Sequence, residues 1–183
     1  MTRSAARPTT PSTPLTPLPS RWSIEVAAPF GRLLVVADQR CIVGVSWGNE
    51  PTDSEHVQFV AAPSAHPVLL QAVRELDEYF AGTRRQFEVP VRLAGTAFQQ
   101  QAWAVLRGIP YGSTISYGEQ ARRLGNSRAV RAVGGANGRN PVGIIVPCHR
   151  VIGADGSLTG FGGGVQTKRW LLDHEQRVLG PAH

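Results

Sequence analysis

Ser116-Tyr117-Gly118-Glu119-Gln120-Ala121-Arg122-Arg123-Leu124-Gly125-Asn126-Ser127-Arg128-Ala129-Val130-Arg131-Ala132-Val133-Gly134-Gly135-Ala136 reads as two short helices joined by one tight turn. Ser116-x-x-Glu119 is a capping box that opens the first helix, and Leu124-Gly125 closes it. Ser127 can cap the second. That arrangement is the pattern of a helix-turn-helix, with the second helix as the recognition element. Its alanines and glycines let the backbone come close to another surface. A plain helical hairpin fits the same periodicity. The arginines flanking the small residues favour DNA.

The charge lies in the same half of the chain. From Met1 to Gly95 nine arginines meet nine acids, whereas from Thr96 to His183 nine arginines and Lys168 meet four, so the whole excess of +6 falls there. Between Arg107 and Arg150 seven arginines face one acid, Glu119. Such a patch is the footprint of a polyanion, and arginine suits phosphate oxygens and base edges. A generally basic surface is the plainer account, and the balanced first half argues against it. Upstream, Thr96-x-x-Gln99 is a further capping box. It opens a helix with Phe98, Ala102, Val105 and Leu106 inward, stopped by Gly108 and Pro110.

Before Gly95 the pattern changes. Trp22 to Ala28, Leu33 to Ala37 and Ile42 to Trp47 are short, β-prone and separated by turn residues, as in an antiparallel meander. Pro67 to Phe80 carries Val68, Leu69, Ala72, Val73, Leu76 and Phe80 on one helical face, with Gly82 just beyond its end. Phe87 to Leu93 reads as one more strand returning to the sheet. No chemistry stands out, so the role expected of this half is structural. Residues 1–20, rich in Pro, Thr and Ser, read as a disordered tail without the apolar centre of a secretory signal. The expected organisation is therefore a tail at 1–20, a structural α/β domain at 21–95 and a DNA-binding domain at 96–183. A length of 183 residues, 42% hydrophobic and 17% charged, suits one ordinary domain or two small ones. No run of about 18 apolar residues is present to span a membrane. Two cysteines, Cys41 and Cys148, fit a reducing cytoplasm, with Cys41 as inert packing.

Ile144-Ile145-Val146-Pro147-Cys148-His149-Arg150-Val151-Ile152 sets a cysteine beside a histidine at the end of an apolar run. A thiol becomes a good nucleophile when it ionises, and an imidazole is a usual means to that end. Pro147 fixes φ just before it. Buried packing is the alternative for a lone Cys-His pair. The flanks set this pair apart: Asn140-Pro141 precedes it and Gly160-Phe161-Gly162-Gly163-Gly164 follows.

Together with Ile109-Pro110-Tyr111-Gly112, Ser116-Tyr117 and Arg128-Ala129-Val130-Arg131-Ala132-Val133-Gly134, these segments make the chain resemble the O6-alkylguanine-DNA alkyltransferases. The resemblance covers roughly Trp22 to Leu179 and is most specific from Thr96 to Glu175. It implies an α+β fold, with an N-terminal antiparallel β-sheet and helix (ribonuclease H-like) and a C-terminal helical, winged-helix-like domain containing the helix-turn-helix. It also implies direct-reversal DNA repair by a methyltransferase that acts once. The alkyl group passes irreversibly from O6 of guanine, and less readily O4 of thymine, to Cys148, with no cofactor. The target base must be flipped out of the stack. By the same resemblance His149 is the base acting through a water, Glu175 orients it, and Asn140 holds the active-site loop. Tyr117 donates to O6 or N3 of the departing base, and Val146, Gly162 and Gly163 line the guanine pocket. Arg131 fills the gap in the duplex, and Ala132, Gly134, Asn126, Arg128 and Tyr117 meet the DNA. The implied partner is double-stranded DNA carrying O6-alkylguanine. It is bound by a cytoplasmic monomer that can cluster on DNA and requires no protein partner or membrane.

Some features depart from the family. Phe161-Gly162 stands where some relatives have tyrosine and serine, so a contact from Gly162 to O6 would come from backbone, and the pocket has more room. Some relatives bind zinc in the first domain; Cys41, His56 and His66 are too few for a closed site, so no metal is expected. With two cysteines, the sequence is not expected to carry the four-cysteine module of the adaptive-response regulators. Two rivals stand beside this reading. One is a non-catalytic lesion-binding relative, against which Cys148 argues directly. The other is a cysteine hydrolase built on Cys148 and His149, which would turn over. Neighbours in an extended strand point to opposite faces, so a direct dyad is awkward, whereas a water-bridged pair after a turn is feasible.

Overall fold

Alternating apolar residues build the first half. In the computed structural model, which describes residues 21–48, 57–59 and 66–180, β1 (Arg21–Ala28), β2 (Gly31–Ala37) and β3 (Ile42–Trp47) form the antiparallel meander. Ile24 pairs with Val35 and Val26 with Leu33, and all four side chains are buried. A short fourth strand, β4 (Val57–Phe59), runs parallel to β1 and completes the order β3-β2-β1-β4. α1 (Pro67–Phe80) covers the sheet, and His66 Nδ1 caps it by accepting from Leu69 N. The expected tail and His56 lie outside the described residues.

The strand expected over Phe87 to Leu93 does not form. That segment meets β3 through one isolated bridge, Ile42 to Val91, with Ile42 N donating to Pro90 O and Arg92 N to Ile42 O. Pro90 has no N–H for a ladder. Buried Glu75 of α1 takes the N–H groups of Glu88 and Val89 instead. The segment is held by a helix side chain rather than zipped into the sheet.

Local capping chemistry decides the second half. Both halves of the Thr96/Gln99 box are made at α2 (Ala97–Arg107). After β5 (Ile115–Ser116) comes α3 (Tyr117–Arg123), capped by Ser116 Oγ accepting from Glu119 N. The second box is only half made, because the Glu119 carboxylate turns out to Arg122 and Arg123. Gly125 makes the turn at φ 76°. Ser127 caps nothing: α4 (Val130–Gly138) starts after Ala129 with no side-chain cap, and Asn126 Oδ1 holds the turn by accepting from Arg128 N.

Buried polar side chains lock these three helices together. Gln120 and Asn137 exchange amide hydrogen bonds at 3.1 and 2.7 Å, Gln120 Nε2 also donates to Ala102 O, and Trp103 Nε1 donates to Ala136 O. The outer face of α4 is thereby fixed in orientation. A 3-10 turn at Cys148–Arg150 leads into β6 (Val151–Ile152), parallel to β5, and α5 (Gly164–Leu179) closes the fold. One contiguous apolar cluster runs from Ile24 through Trp103 to Leu171, across the expected boundary near Gly95. Among the described residues no helix is long and apolar enough to cross a membrane.

Candidate active site

The approach to Cys148 is strained. Ile144, fully buried, sits at φ 69°, the only positive φ of a non-glycine residue among those described. A β-branched residue there costs about 1–3 kcal/mol, and such a cost persists only where the surroundings fix the backbone. Asn140 does much of the fixing. Its Oδ1 accepts from Val142 N, while its Nδ2 donates to Val146 O at 2.8 Å and to Cys148 Sγ at 3.2 Å. Val146 O also accepts from Cys148 N.

Because residues 148–150 form a 3-10 turn rather than a strand, His149 is carried inward beside Cys148. Its ring is fully buried, with Nε2 2.9 Å from Glu175 Oε1 and Nδ1 without a partner. Glu175 is the hub: it also accepts from Tyr79 OH (2.8 Å), from Gly112 N (2.8 Å) and from Arg150 Nε and Nη2. Burial by itself would raise the Glu175 pKa; the hydrogen bonds of His149 and Arg150, and the charges both carry at the acid pH where Glu175 titrates, outweigh it and hold the carboxyl at about 2. Burial pulls His149 below its usual value against the raising effect of Glu175. The imidazole is therefore neutral at pH 7, and Arg150 is the cation of the cluster. An ionised Glu175 can only accept, so the proton of neutral His149 lies on Nε2 and Nδ1 keeps its lone pair. Burial also pushes the Cys148 thiol up, while the Asn140 hydrogen bond and the Lys168 charge pull it down. The resting thiol is protonated and needs a base.

Tyr117 lies between α4 and the glycine loop. A β-carbon on Gly160 would lie 3.3 Å from its hydroxyl, and one on Gly134 of α4 4.0 Å from its ring. The ring thus spans from the recognition helix to the glycine loop. Its hydroxyl donates to Thr159 O at 2.8 Å. Lys168 Nζ lies 3.5 Å from that hydroxyl and donates to Val151 O and Thr159 O.

On the outer face of α4, Arg131, Ala132, Gly135 and Arg139 line a shallow groove shared with Thr96, Phe98 and Gln99 at the start of α2. Gly134 is half-buried toward Tyr117, and Asn126 and Arg128 are exposed in the turn. Arg122 and Arg123 pair with Glu119, and Arg150 with Glu175. Among the described residues Arg128, Arg131 and Arg139 have no acidic partner.

The structure thus brings Cys148, His149, Glu175, Asn140 and Tyr117 into one cluster, with Gly162 and Gly163 on the loop beside it. Val146 lies behind Cys148, fully buried, its carbonyl already accepting two hydrogen bonds. Three participants were not legible in the sequence: Arg150 as the Glu175 partner, Lys168, and from the first half Tyr79. Lys168 did carry a signal, since it is the only lysine of the chain. Among the described residues no group of three or more His, Cys, Asp or Glu side chains is placed to hold a metal ion.

Residues 26–93 match the family described as 6-O-methylguanine DNA methyltransferase, ribonuclease-like domain, and residues 97–177 match 6-O-methylguanine DNA methyltransferase, DNA binding domain. A methylated-DNA–protein-cysteine methyltransferase of Mycobacterium tuberculosis is 58% identical over 151 residues, covering 82% of this chain and 90% of that protein. One from Haemophilus influenzae is 44% identical over 155 residues, covering 81% and 83%. The crystal structure of Mycobacterium tuberculosis OGT in complex with DNA is similar with a TM-score of 0.79 at 43% identity, over 86% of this chain and 94% of that one.

Proposed function

The chain belongs to the 6-O-methylguanine DNA methyltransferase family, and on that premise we propose that it repairs O6-alkylguanine in double-stranded DNA by moving the alkyl group irreversibly to Cys148. The observation that carries the reading is the chain of contacts from the Cys148 turn through neutral His149 to ionised Glu175. His149 Nδ1 takes the thiol proton, through an intervening water as the family resemblance implies, and the imidazolium is stabilised by Glu175. Thiolate sulfur then attacks the alkyl carbon. The carbon–O6 bond breaks, its electron pair stays with the base, and the guanine anion takes up a proton through the Tyr117 hydroxyl, the proton that left the thiol making up the balance. Tyr117 supplies the hydrogen bond to O6 or N3, exchanging Thr159 O for the base, with Lys168 behind it. Asn140 orients the sulfur, and Val146, Gly162 and Gly163 form the pocket wall. Thymine alkylated at O4 is a slower substrate.

Residues 96–183 carry DNA binding and transfer in this reading, and residues 21–95 form the platform they are built on. The protein acts as a cytoplasmic monomer that can cluster on DNA, with no required protein partner. The duplex lies along the outer face of α4. Ala132 and Gly134 allow close approach, and Arg128, Arg139 and the Asn126 turn grip phosphate. Arg131 enters the stack in place of the extruded base.

The test is single-turnover transfer from an O6-methylguanine duplex, with Cys148→Ser as the blank. Two further results are expected. Affinity for duplex should fall steeply with salt, with a log–log slope of about −0.9 per phosphate contact, and Arg128→Ala or Arg139→Ala should each flatten it by about one unit. A flat salt response would remove the duplex from the proposal. Arg131→Ala should behave differently. Unstacking a base costs a few kcal/mol, and a plug offsets part of it, so transfer at saturating duplex should slow by about tenfold or more. Reaction with free O6-benzylguanine, which needs no flipping, should keep its rate. Wild-type speed from saturated duplex would make Arg131 one more phosphate contact.

A further inference from the structure

β3 reaches the site at two points. Val45 N donates to Pro141 O at 2.8 Å, which ties the strand to the Asn140 turn. Two residues on, and so on the same face of the strand, Trp47 lies against the glycine loop. Its ring meets Phe161 at 5.1 Å and Phe30 at 5.6 Å between centroids. A β-carbon on Gly163 would stand 2.6 Å from Trp47 Cδ2, one on Gly143 2.9 Å from Cζ2, and one on Gly162 3.5 Å from Nε1. The first two distances are shorter than carbons pack. The indole therefore fills the volume that a side chain at 143 or 163 would need. Gly163 has φ −83° and ψ 4°, a conformation open to any residue. What excludes a side chain there is Trp47, not the backbone. Trp47, Gly162, Asn140 and Pro141 line one cleft.

We propose that Trp47 is a positioning residue for the guanine pocket: from the first half of the chain it wedges Gly162-Gly163 at a fixed distance from the Asn140–Cys148 segment, and so sets the size of O6 substituent the site accepts. The inference rests on the assignment of Gly162 and Gly163 to the base. The indole takes no part in bond making. It is a rigid block between two backbone segments, and its loss leaves a cavity into which the loop relaxes only in part. A loop displaced by about 1 Å misplaces the alkyl carbon relative to sulfur, at a cost near a hundredfold in rate. The same slack gives a larger substituent room.

The experiment compares wild type, Trp47→Leu, Trp47→Phe, Gly163→Ala and the double variant Trp47→Leu/Gly163→Ala, with O6-methylguanine and O6-benzylguanine in the same duplex under single turnover. Trp47→Leu should slow methyl transfer by about ten- to a hundredfold and raise the benzyl-to-methyl rate ratio, while duplex affinity holds. Gly163→Ala should be slow beside the intact indole and should recover in the double variant, since the clash is then gone; the non-additivity measures the contact. A role in stability alone would lower the melting temperature and slow both adducts alike. An unchanged ratio with multiplicative penalties overturns the proposal. If Trp47→Leu does not fold, Trp47→Phe and Gly163→Ala decide the matter by the same ratio. Amide exchange over residues 160–164 reads the wedge without any chemistry: faster exchange in the Trp47 variant supports it and unchanged exchange refutes it. A wild-type protein that transfers nothing would sink the functional reading and leave that exchange result to judge Trp47.

Discussion

Incubated with an excess of duplex carrying O6-methylguanine, the protein should gain one methyl group on Cys148 and then stop. The reason lies in the product. A thioether has no acidic proton and is a poor leaving group, and nothing in the cluster of His149, Glu175 and Arg150 can hydrolyse it. Cys148→Ser should lose transfer entirely while still binding duplex, because an alcohol beside a neutral imidazole is far from ionised. Intact mass over time, with peptide mapping, checks both statements. More than one turnover per protein would contradict the assignment and bring back the hydrolase reading. The other free thiol, Cys41, lies at the β2–β3 turn with its N–H on Asp38 Oδ1. It should stay unmodified.

The resting state of Cys148 follows from its surroundings. Burial raises the pKa of Cys148 and lowers that of His149, so both are neutral in the free protein near pH 7. In the proposed reaction the unpartnered Nδ1 of His149 takes the thiol proton, and the nearby Lys168 charge favours the thiolate.

The sequence was most legible where structure is decided within a few residues. The Thr96/Gln99 box, the Gly125 turn and the Pro67–Phe80 helix rest on capping chemistry, φ preference and apolar periodicity, and all three formed as expected. Ser127 failed as a cap because the turn is closed by Asn126, one residue earlier, and α4 begins later. The 87–93 strand failed because the N–H groups of Glu88 and Val89 go to Glu75, a charged residue inside an otherwise apolar helix face, and Pro90 has none to give. Nothing local announces that exchange. The same holds for the site. Cys148, His149 and Asn140 lie within nine residues of one another and could be read as one motif. Tyr79, near the end of α1, meets the site only through the way the two halves pack. Nothing in the first half announces that its Tyr79 hydroxyl donates to Glu175. Lys168 and Glu175 sit in α5, which directly follows the glycine run, and the glycines hid where that helix starts.

Glu175→Gln should be the most damaging substitution short of the cysteine itself. Four neighbours donate to this fully buried carboxylate: Tyr79, Gly112, His149 and Arg150. Removing its charge leaves Arg150, with its side chain only 8% exposed, as a buried cation without a counter-ion. Breaking a buried pair in this way costs about 3–5 kcal/mol, a large part of an ordinary domain's total stability. The pH dependence gives an independent reading. Glu175 is held at about 2, below its usual 4.5. A carboxyl lowered in the folded state stabilises the fold above the unfolded value, and that contribution is lost as the pH falls from near 4.5 toward 2. The lost stability amounts to about 3 kcal/mol. Glu175→Gln should therefore melt lower than wild type at pH 7 and lose part of the difference at pH 3, where wild type is also giving up the interaction. Chemistry should suffer separately. An amide can present oxygen or nitrogen to His149 Nε2, so the tautomer that leaves Nδ1 free is no longer enforced. Transfer measured well below both melting temperatures should drop on the order of a hundredfold or more. Chemical denaturation across pH, paired with single-turnover rates, resolves the two effects. A variant with wild-type stability and an unchanged acid limb would show that Arg150 and Tyr79 find other partners, and Glu175 would lose its place as the hub.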